Sequence, residues 1–432
     1  MSLLLQHADI LIRTEKGYGT IPEGYLGIED GRISYLGATA PEKEYDEKKE
    51  MRGKLLMPGL VNCHSHIAMV LMRGQGSGLP LHEWLFDTIF PIEDRLTRED
   101  VAAASRYAIM EMLAGGTTSF SDMYFFPEET VRAVAETGIR ANLNRCVQCF
   151  DENETVAQNR QIKESLALFE QYHGAAEGRV HIDFSIHAEY TCKSHIVRAY
   201  SEECRARGGR MHIHLSETQR EVDECRARYG VSPVEWFESL GTFDSPVAAA
   251  HCVALSDRDR ALLRAHGVNV VHNPTSNLKL GSGVMDLGAL LAAGINVALG
   301  TDGTASNNNL NMFEEMHLAS LLHKGVTLDP TAAPDALVID MATRNGALAQ
   351  GRGDVGALEV GKKADLIALD LTRTHLYPNF DTAALVTASA QAGDVCMTMV
   401  DGKILYENGE FLTFDAERVR ADMRAAVARL YR

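Results

Sequence analysis

Basic clusters, disulfide-like cysteine spacing and long apolar runs are all missing from this chain, and each absence removes a class of function. The 42 lysines and arginines are outnumbered by 59 acidic residues, giving a net charge of −17, and nowhere do they cluster densely enough to follow a phosphate backbone. A nucleic-acid polymer is therefore not the expected partner, whereas a small molecule is. No apolar stretch approaches the ~18 residues of a membrane span, and the opening residues reach Asp9 too soon for a signal peptide. The expectation is a soluble cytoplasmic protein without membrane attachment. Eight cysteines scattered over 432 residues do not make a disulfide framework, and Cys146-Val-Gln-Cys149 has no second pair to complete a zinc knuckle. Internal repeats, low-complexity tracts and flexible linkers are also lacking.

What is present is a regular alternation. The first fifty residues read as short strands and turns, with an Asp-Gly hairpin signal at Asp30-Gly31. From Lys54 onward, strand-like runs at 54–62, 117–121, 140–145, 180–187, 211–215, 247–251, 269–272 and 296–301 are each followed by helical sequence. Eight parallel strands joined by helices suit a (β/α)₈ barrel; an open doubly wound sheet is the alternative, but no glycine-rich phosphate loop follows an early strand. After the barrel come further strands at 366–369, 385–389, 396–400 and 403–406. The expected organisation is a barrel over 57–362 beside a small β-sandwich domain built from residues 1–56 and 363–432, the latter with a terminal helix.

The run Met57-Pro58-Gly59-Leu60-Val61-Asn62-Cys63-His64-Ser65-His66 ends in two histidines that the period of two puts on one face. Alone this is a weak metal signal. Its weight grows because the fourth to seventh strands also finish in histidine (His187, His214, His251 and His272), while the eighth runs into Asp302. In a barrel these ends converge on one rim. Imidazoles with one carboxylate suit Zn²⁺, and Fe²⁺ accepts the same donors. His212 competes with His214 because it shares its face; the position of His214 nearer the strand end favours His214.

The stretches 57–66, His214 to Glu217, Ala250-His251-Cys252, Val271-His272-Asn273-Pro274 with Ser276-Asn277-Leu278, and Leu299-Gly300-Thr301-Asp302-Gly303 resemble the metal-dependent amidohydrolase superfamily. Glu83-Trp84-Leu85, Pro91-Ile92-Glu93-Asp94-Arg95-Leu96 and Ser306-Asn307-Asn308 are similar to deaminases of S-adenosylhomocysteine and 5′-methylthioadenosine. The resemblance covers nearly the whole chain and implies one divalent ion on His64, His66, His214 and Asp302. It implies deamination of a 5′-modified adenosine by a metal-bound hydroxide, with Asp302 moving the water proton and His251 bonding the developing oxygen. Glu217, in the loop after the fifth strand, is placed to protonate a ring nitrogen; the alternative is that it caps the helix beginning near Gln219. Trp84 and Glu93 are candidates for the nucleoside wall and the ribose hydroxyls, and the resemblance adds Arg145, His187 and Ser306 as substrate contacts.

Two absences narrow the chemistry. No barrel strand through Leu215 offers an interior lysine to bridge two metals, and the His-x-Glu with Pro-Cys-x-x-Cys of cytidine-deaminase sites is missing. The sequence also departs from the nearest pattern at His82, at Ala188-Glu189 and in a longer 145–160 loop, which leaves the 5′-substituent open among S-adenosylhomocysteine, methylthioadenosine, 5′-deoxyadenosine and adenosine. Deamination or dechlorination of guanine, a pterin or a triazine is the enzymatic alternative, and a non-catalytic barrel is the other. The resemblance also makes a homo-oligomer reasonable.

Overall fold

The two ends of the chain meet in one sheet. In the computed structural model, which describes residues 2–432, Ser2–Thr14 and Gly17–Glu29 form an antiparallel hairpin that Arg32–Gly37 extends. The Asp-Gly turn joins the last two of these strands, with Asp30 at φ 47° and Gly31 at φ 76°, the left-handed pair that a tight hairpin of right-twisted strands requires. Lys54–Pro58 then lies between Ser2–Thr14, which it pairs in parallel, and Leu366–Asp370, which it pairs antiparallel. Val395–Val400, Lys403–Glu407 and Glu410–Phe411, with Glu47–Glu50 parallel to Ser2–Thr14, complete a nine-stranded sheet. The two terminal strand groups, expected as a β-sandwich, are joined into one hydrogen-bonded sheet because Lys54–Pro58 pairs along both of its edges.

Of residues 385–389, expected as a strand, 385–388 belong to the helix Thr382–Ala388, and Ser389 is its C-cap. Asp381 starts that helix by accepting from the backbone N–H groups of Ala383 and Ala384 at 2.9 and 3.2 Å. The helix Arg98–Ala114 begins at a capping box, Thr97 with Asp100. The next helix after Arg145 starts only at Arg160, where Asn159 caps it, so the intervening loop is long.

The remaining strands are all parallel and form two arcs. One contains Leu60–Ser65, Thr117–Tyr124, Arg140–Arg145 and Val180–Ile182; the other contains Phe184–Ile186, Met211–Leu215, Val247–His251, Asn269–His272 and Val297–Leu299. The expected fourth strand is split at Asp183, whose N–H donates to Leu143 O at 2.9 Å and whose carboxylate accepts from Asn142 at 2.9 Å. The ladder is therefore interrupted where a continuous eight-stranded one was expected. Hydrogen bonds still cross both gaps. Val147 N donates to Ser185 O at 2.9 Å on one side, and on the other Asp302 N donates to His64 O at 2.9 Å while Asn62 grips Thr301 twice, at 2.8 and 3.0 Å. Among the described residues no helix is long and apolar enough to cross a membrane.

Arg140 fastens the terminal sheet to the parallel strands. Its side chain, 1% exposed, makes two bonds to the Asp365 carboxylate at 2.8 and 3.0 Å and a third to Asp401 at 2.8 Å. Arg140→Ala would leave two carboxylates facing each other in a largely dry interface. The expected cost is about 3–5 kcal/mol in urea unfolding, and a loss near zero would show that the clamp carries no stability.

Candidate metal and catalytic centre

Three imidazoles point one nitrogen each at the same place because their other nitrogens are held. His66 Nδ1 donates to Met123 O at 2.6 Å, and His214 Nδ1 donates to His187 O at 2.7 Å. A carbonyl can only accept, so Nδ1 carries the proton in both rings and each Nε2 is left with a lone pair. His64 Nδ1 lies 2.9 Å from His212 Nε2. His212 Nδ1 in turn faces the Asn144 side-chain amide at 3.5 Å, and Asn144 Oδ1 is a buried acceptor without a partner. Turning that amide by half a turn lets Asn144 accept from His212 and His212 accept from His64, which frees the third Nε2 in the same sense. His212 is thus a ring that orients a ligand and points away from the shared point itself.

The three Nε2 atoms and the Asp302 carboxylate enclose one point. His66 Nε2 is 3.3 Å from His214 Nε2, and Asp302 Oδ1 is 3.2 Å from His66 Nε2 and 3.5 Å from His64 Nε2. His64 Nε2 is buried with no hydrogen-bond partner. Two lone pairs at 3.3 Å repel unless a cation stands between them, and nitrogens about 2.0–2.1 Å from a tetrahedral zinc are spaced roughly this far apart. The residues therefore fit a divalent ion. Without an ion the positive charge beside Asp302 falls to His66: burial works against it, yet its bond to Asp302 and the Asp302 charge carry it up to about 9. Burial, with the neighbouring His66 and His251, takes His64 down to about 4 against the pull of Asp302, and burial with the surrounding histidines holds His214 well below the ordinary value. Burial also opposes the Asp302 anion, but bonds from His64 and His66 keep its carboxyl well below the usual range.

Asp302 is fixed by its surroundings. Its Oδ2 accepts from Ser276 Oγ at 2.6 Å and Ser306 Oγ at 2.9 Å, and its Oδ1 from Gly303 N at 2.7 Å. An added Cβ at Gly300 would stand 2.8 Å from His64 N, so only glycine lets the last strand come this close to the first. Asp302 at φ 62° and His251 at φ 75° are non-glycine residues in the left-handed region, a strain of order 1–3 kcal/mol each that the surrounding bonds must offset. His251 Nδ1 is tied to Asn277 Oδ1 at 2.8 Å, which turns Nε2 to within 3.7 Å of Glu217 Oε2.

Glu217 is free of helix capping. Thr218 caps the following helix by accepting from Glu221 N, and Glu221 takes the N–H groups of Ser216 and Glu217 at 2.9 and 2.7 Å. The Glu217 carboxyl, raised above its ordinary value by burial, accepts only from Ser282 Oγ at 3.1 Å and faces the histidines. Above it opens a cavity whose walls include Trp84, Glu93, His187, Glu217, His251 and Asp302. Burial raises the Glu93 carboxyl, beside Tyr124, to about 7.

Two expected substrate contacts lie elsewhere. Arg145 bonds Glu164 at 2.8 Å, stacks over Phe125 at 5.3 Å, and lines a neighbouring crevice with Arg160, itself 3.3 Å from Glu164. Ser306 is committed to Asp302 and does not line the cavity. His272 turns its Nε2 to His323 at 3.1 Å and does not reach the cavity either. Sequence reasoning gave no role to Ser276 or Asn277, although both sit inside a quoted motif, and it missed Tyr124 and Tyr190 in the wall. Tyr124 ends the second strand in register with the histidines, a usable signal, whereas Tyr190 lies in an irregular turn that carries none.

The amidohydrolase family pattern matches residues 55–405. The chain belongs to the amidohydrolase family. Among relatives of this amidohydrolase is a 5-methylthioadenosine/S-adenosylhomocysteine deaminase of Acetivibrio thermocellus, 43% identical over the full length of both chains. Another is a 5′-deoxyadenosine deaminase of Methanosarcina acetivorans, 43% identical over 98% of each chain. An adenosine deaminase of Xanthomonas campestris, solved with bound zinc, superposes with a TM-score of 0.92 at 31% identity, covering 99% of this amidohydrolase and 98% of that chain. Because Ser276 donates the shorter bond to Asp302, Ser276→Ala is expected to weaken metal binding about 10–100-fold in a chelator competition; unchanged affinity would remove Ser276 from the support of the site.

Proposed function

We propose that this amidohydrolase deaminates the 6-amino group of a 5′-modified adenosine, releasing ammonia and the inosine analogue. The carrying observation is Glu217, a buried carboxyl kept out of its helix cap and aimed into the cavity beside the converging imidazoles. His64, His66, His214 and Asp302 would hold one divalent ion, most simply zinc as in the superposed adenosine deaminase. Such an ion brings the pKa of a bound water to about 7.

The chain's own groups do the rest. Asp302 Oδ1, on the cavity side, accepts the proton of the attacking water and returns it to the leaving nitrogen, while the two serines hold Oδ2 in place. Glu217, held protonated more readily by burial, delivers its proton to the ring nitrogen next to the amino-bearing carbon. His251, locked by Asn277, stabilises the tetrahedral oxygen through Nε2. Glu93 bonds the ribose hydroxyls, and Trp84 and His187 border the nucleoside. We assign Ser306 to positioning Asp302. Glu164 occupies Arg145 and Arg160 together, so no free guanidinium waits for a carboxylate tail, and small uncharged 5′-substituents suit the site best.

The same reading takes the two arcs as a (β/α)₈ barrel over 57–362, with residues 1–56 and 363–432 as the adjoining β-domain, in a cytoplasmic, self-associating enzyme. It is tested by ammonia release from metal-replete protein across purine nucleosides and other aminated heterocycles. Methylthioadenosine, 5′-deoxyadenosine or adenosine should be turned over with higher kcat/KM than S-adenosylhomocysteine, and failure with every purine nucleoside would refute the function. Glu217→Gln should keep its metal and lose about 10²–10⁴ of kcat, and full turnover would take Glu217 out of its role.

A further inference from the structure

A second hollow adjoins the catalytic cavity. It is an open groove running past Pro80, His82, Phe86, Arg220 and Ser282. Leu81, Leu85, Tyr190 and Leu280 line both spaces, and so form the partition between them. Glu217 stands at that partition: it lines the cavity, but its Oε1 accepts from Ser282 and its N–H donates to Glu221 at 2.7 Å, and both partners line the groove.

We infer that Tyr190 and Leu280 are the specificity-determining wall that restricts the enzyme to adenines bearing only hydrogen at C2. The inference rests on the deaminase reading given above. The only ring nitrogen adjacent to the amino-bearing C6 is N1, so the group that protonates it must meet N1. The next atom around the ring, on the side away from C6, is C2. With C6 at the metal ligands and N1 at Glu217, C2 points at the partition that Glu217 shares with the groove. A substituent there would strike Tyr190 or Leu280, while the space needed to hold it lies immediately behind them.

The wall is built to stay closed. Tyr190 sits in the short turn Glu189–Thr191, and the neighbouring Glu189, 1% exposed, is gripped by Arg228 through both carboxylate oxygens at 2.7 and 2.9 Å, with Nε adding a third bond at 3.2 Å. Thr191 closes the turn by bonding Ala188 O at 3.1 Å and facing His187 Nδ1 at 3.1 Å. The Tyr190 hydroxyl has no protein partner among the described residues, so no bond in the fold requires the ring beyond the contacts of its position. Arg228 and Glu189 are positioning residues here, and Tyr190 and Leu280 are the surfaces a substrate would meet.

The experiment compares adenosine with 2-phenylaminoadenosine, as kcat/KM from ammonia release, in the metal-replete wild type and in Tyr190→Ala. The wild type should turn over adenosine and discriminate strongly against the 2-substituted compound. Tyr190→Ala should reduce that discrimination at least 10-fold, mainly through a lower KM for the larger substrate. Should that variant lose its metal or its fold, Leu280→Ala opens the same partition from its other side and must show the same gain. Arg228→Gln should also relax discrimination while leaving metal content intact, which a role confined to stability would not produce. Wild-type turnover of both compounds at similar kcat/KM, or opened variants that keep the wild-type ratio, would overturn the inference and leave the deaminase reading standing. No turnover of adenosine or methylthioadenosine by the wild type would instead defeat that reading.

Discussion

Three imidazole nitrogens and one carboxylate, buried together with separations of 3.2–3.5 Å, make a donor set that suits a cation, and several of the chain's unusual features serve to assemble it. Each nitrogen that points inward does so because its ring is held from outside by a carbonyl or by another ring. The carboxylate is held by two serines and a backbone N–H. The backbone accepts left-handed residues at Asp302 and His251, and Gly300 lets the last strand approach the first. These are costs in the folded chain, and a divalent ion returns them as binding energy that the unfolded chain cannot match.

That centre also explains the division of labour around it. In the proposed reaction Asp302 would carry a proton between water and product: only Oδ1 is turned to the imidazoles, while Oδ2 is committed to Ser276 and Ser306. Glu217 would act on the heterocycle, since Thr218 and Glu221 take over the helix start that would otherwise need it. The scaffold beneath is tied to the terminal sheet by the buried Arg140, at the start of the strand Arg140–Arg145, with Asp365 and Asp401.

Much of this was legible in the sequence because it follows from period and position. The alternation that puts His64 beside His66, the histidines finishing successive strands and the aspartate after the last strand need only the rule that parallel strand ends share a rim. What was not legible depends on partners far apart in the chain. Arg145 reads as a substrate contact until Glu164, nineteen positions later, is seen to occupy it. Residues 385–388 have strand-like composition, but the Asp381 cap makes them helical. The continuity of the terminal strands in one sheet comes from the pairing of Lys54–Pro58 with both termini, a register that no local pattern encodes. Tyr190 was invisible for the same reason, since its place in the wall is set by Arg228 gripping the residue before it.

The central claim is that this geometry holds a single ion. Anomalous diffraction at the zinc and iron absorption edges, on crystals grown from metal-replete protein, tests it most directly. The account predicts one peak within bonding distance of His64 Nε2, His66 Nε2, His214 Nε2 and an Asp302 oxygen, with no second peak in the cavity; an empty centre, or two ions bridged there, would contradict it.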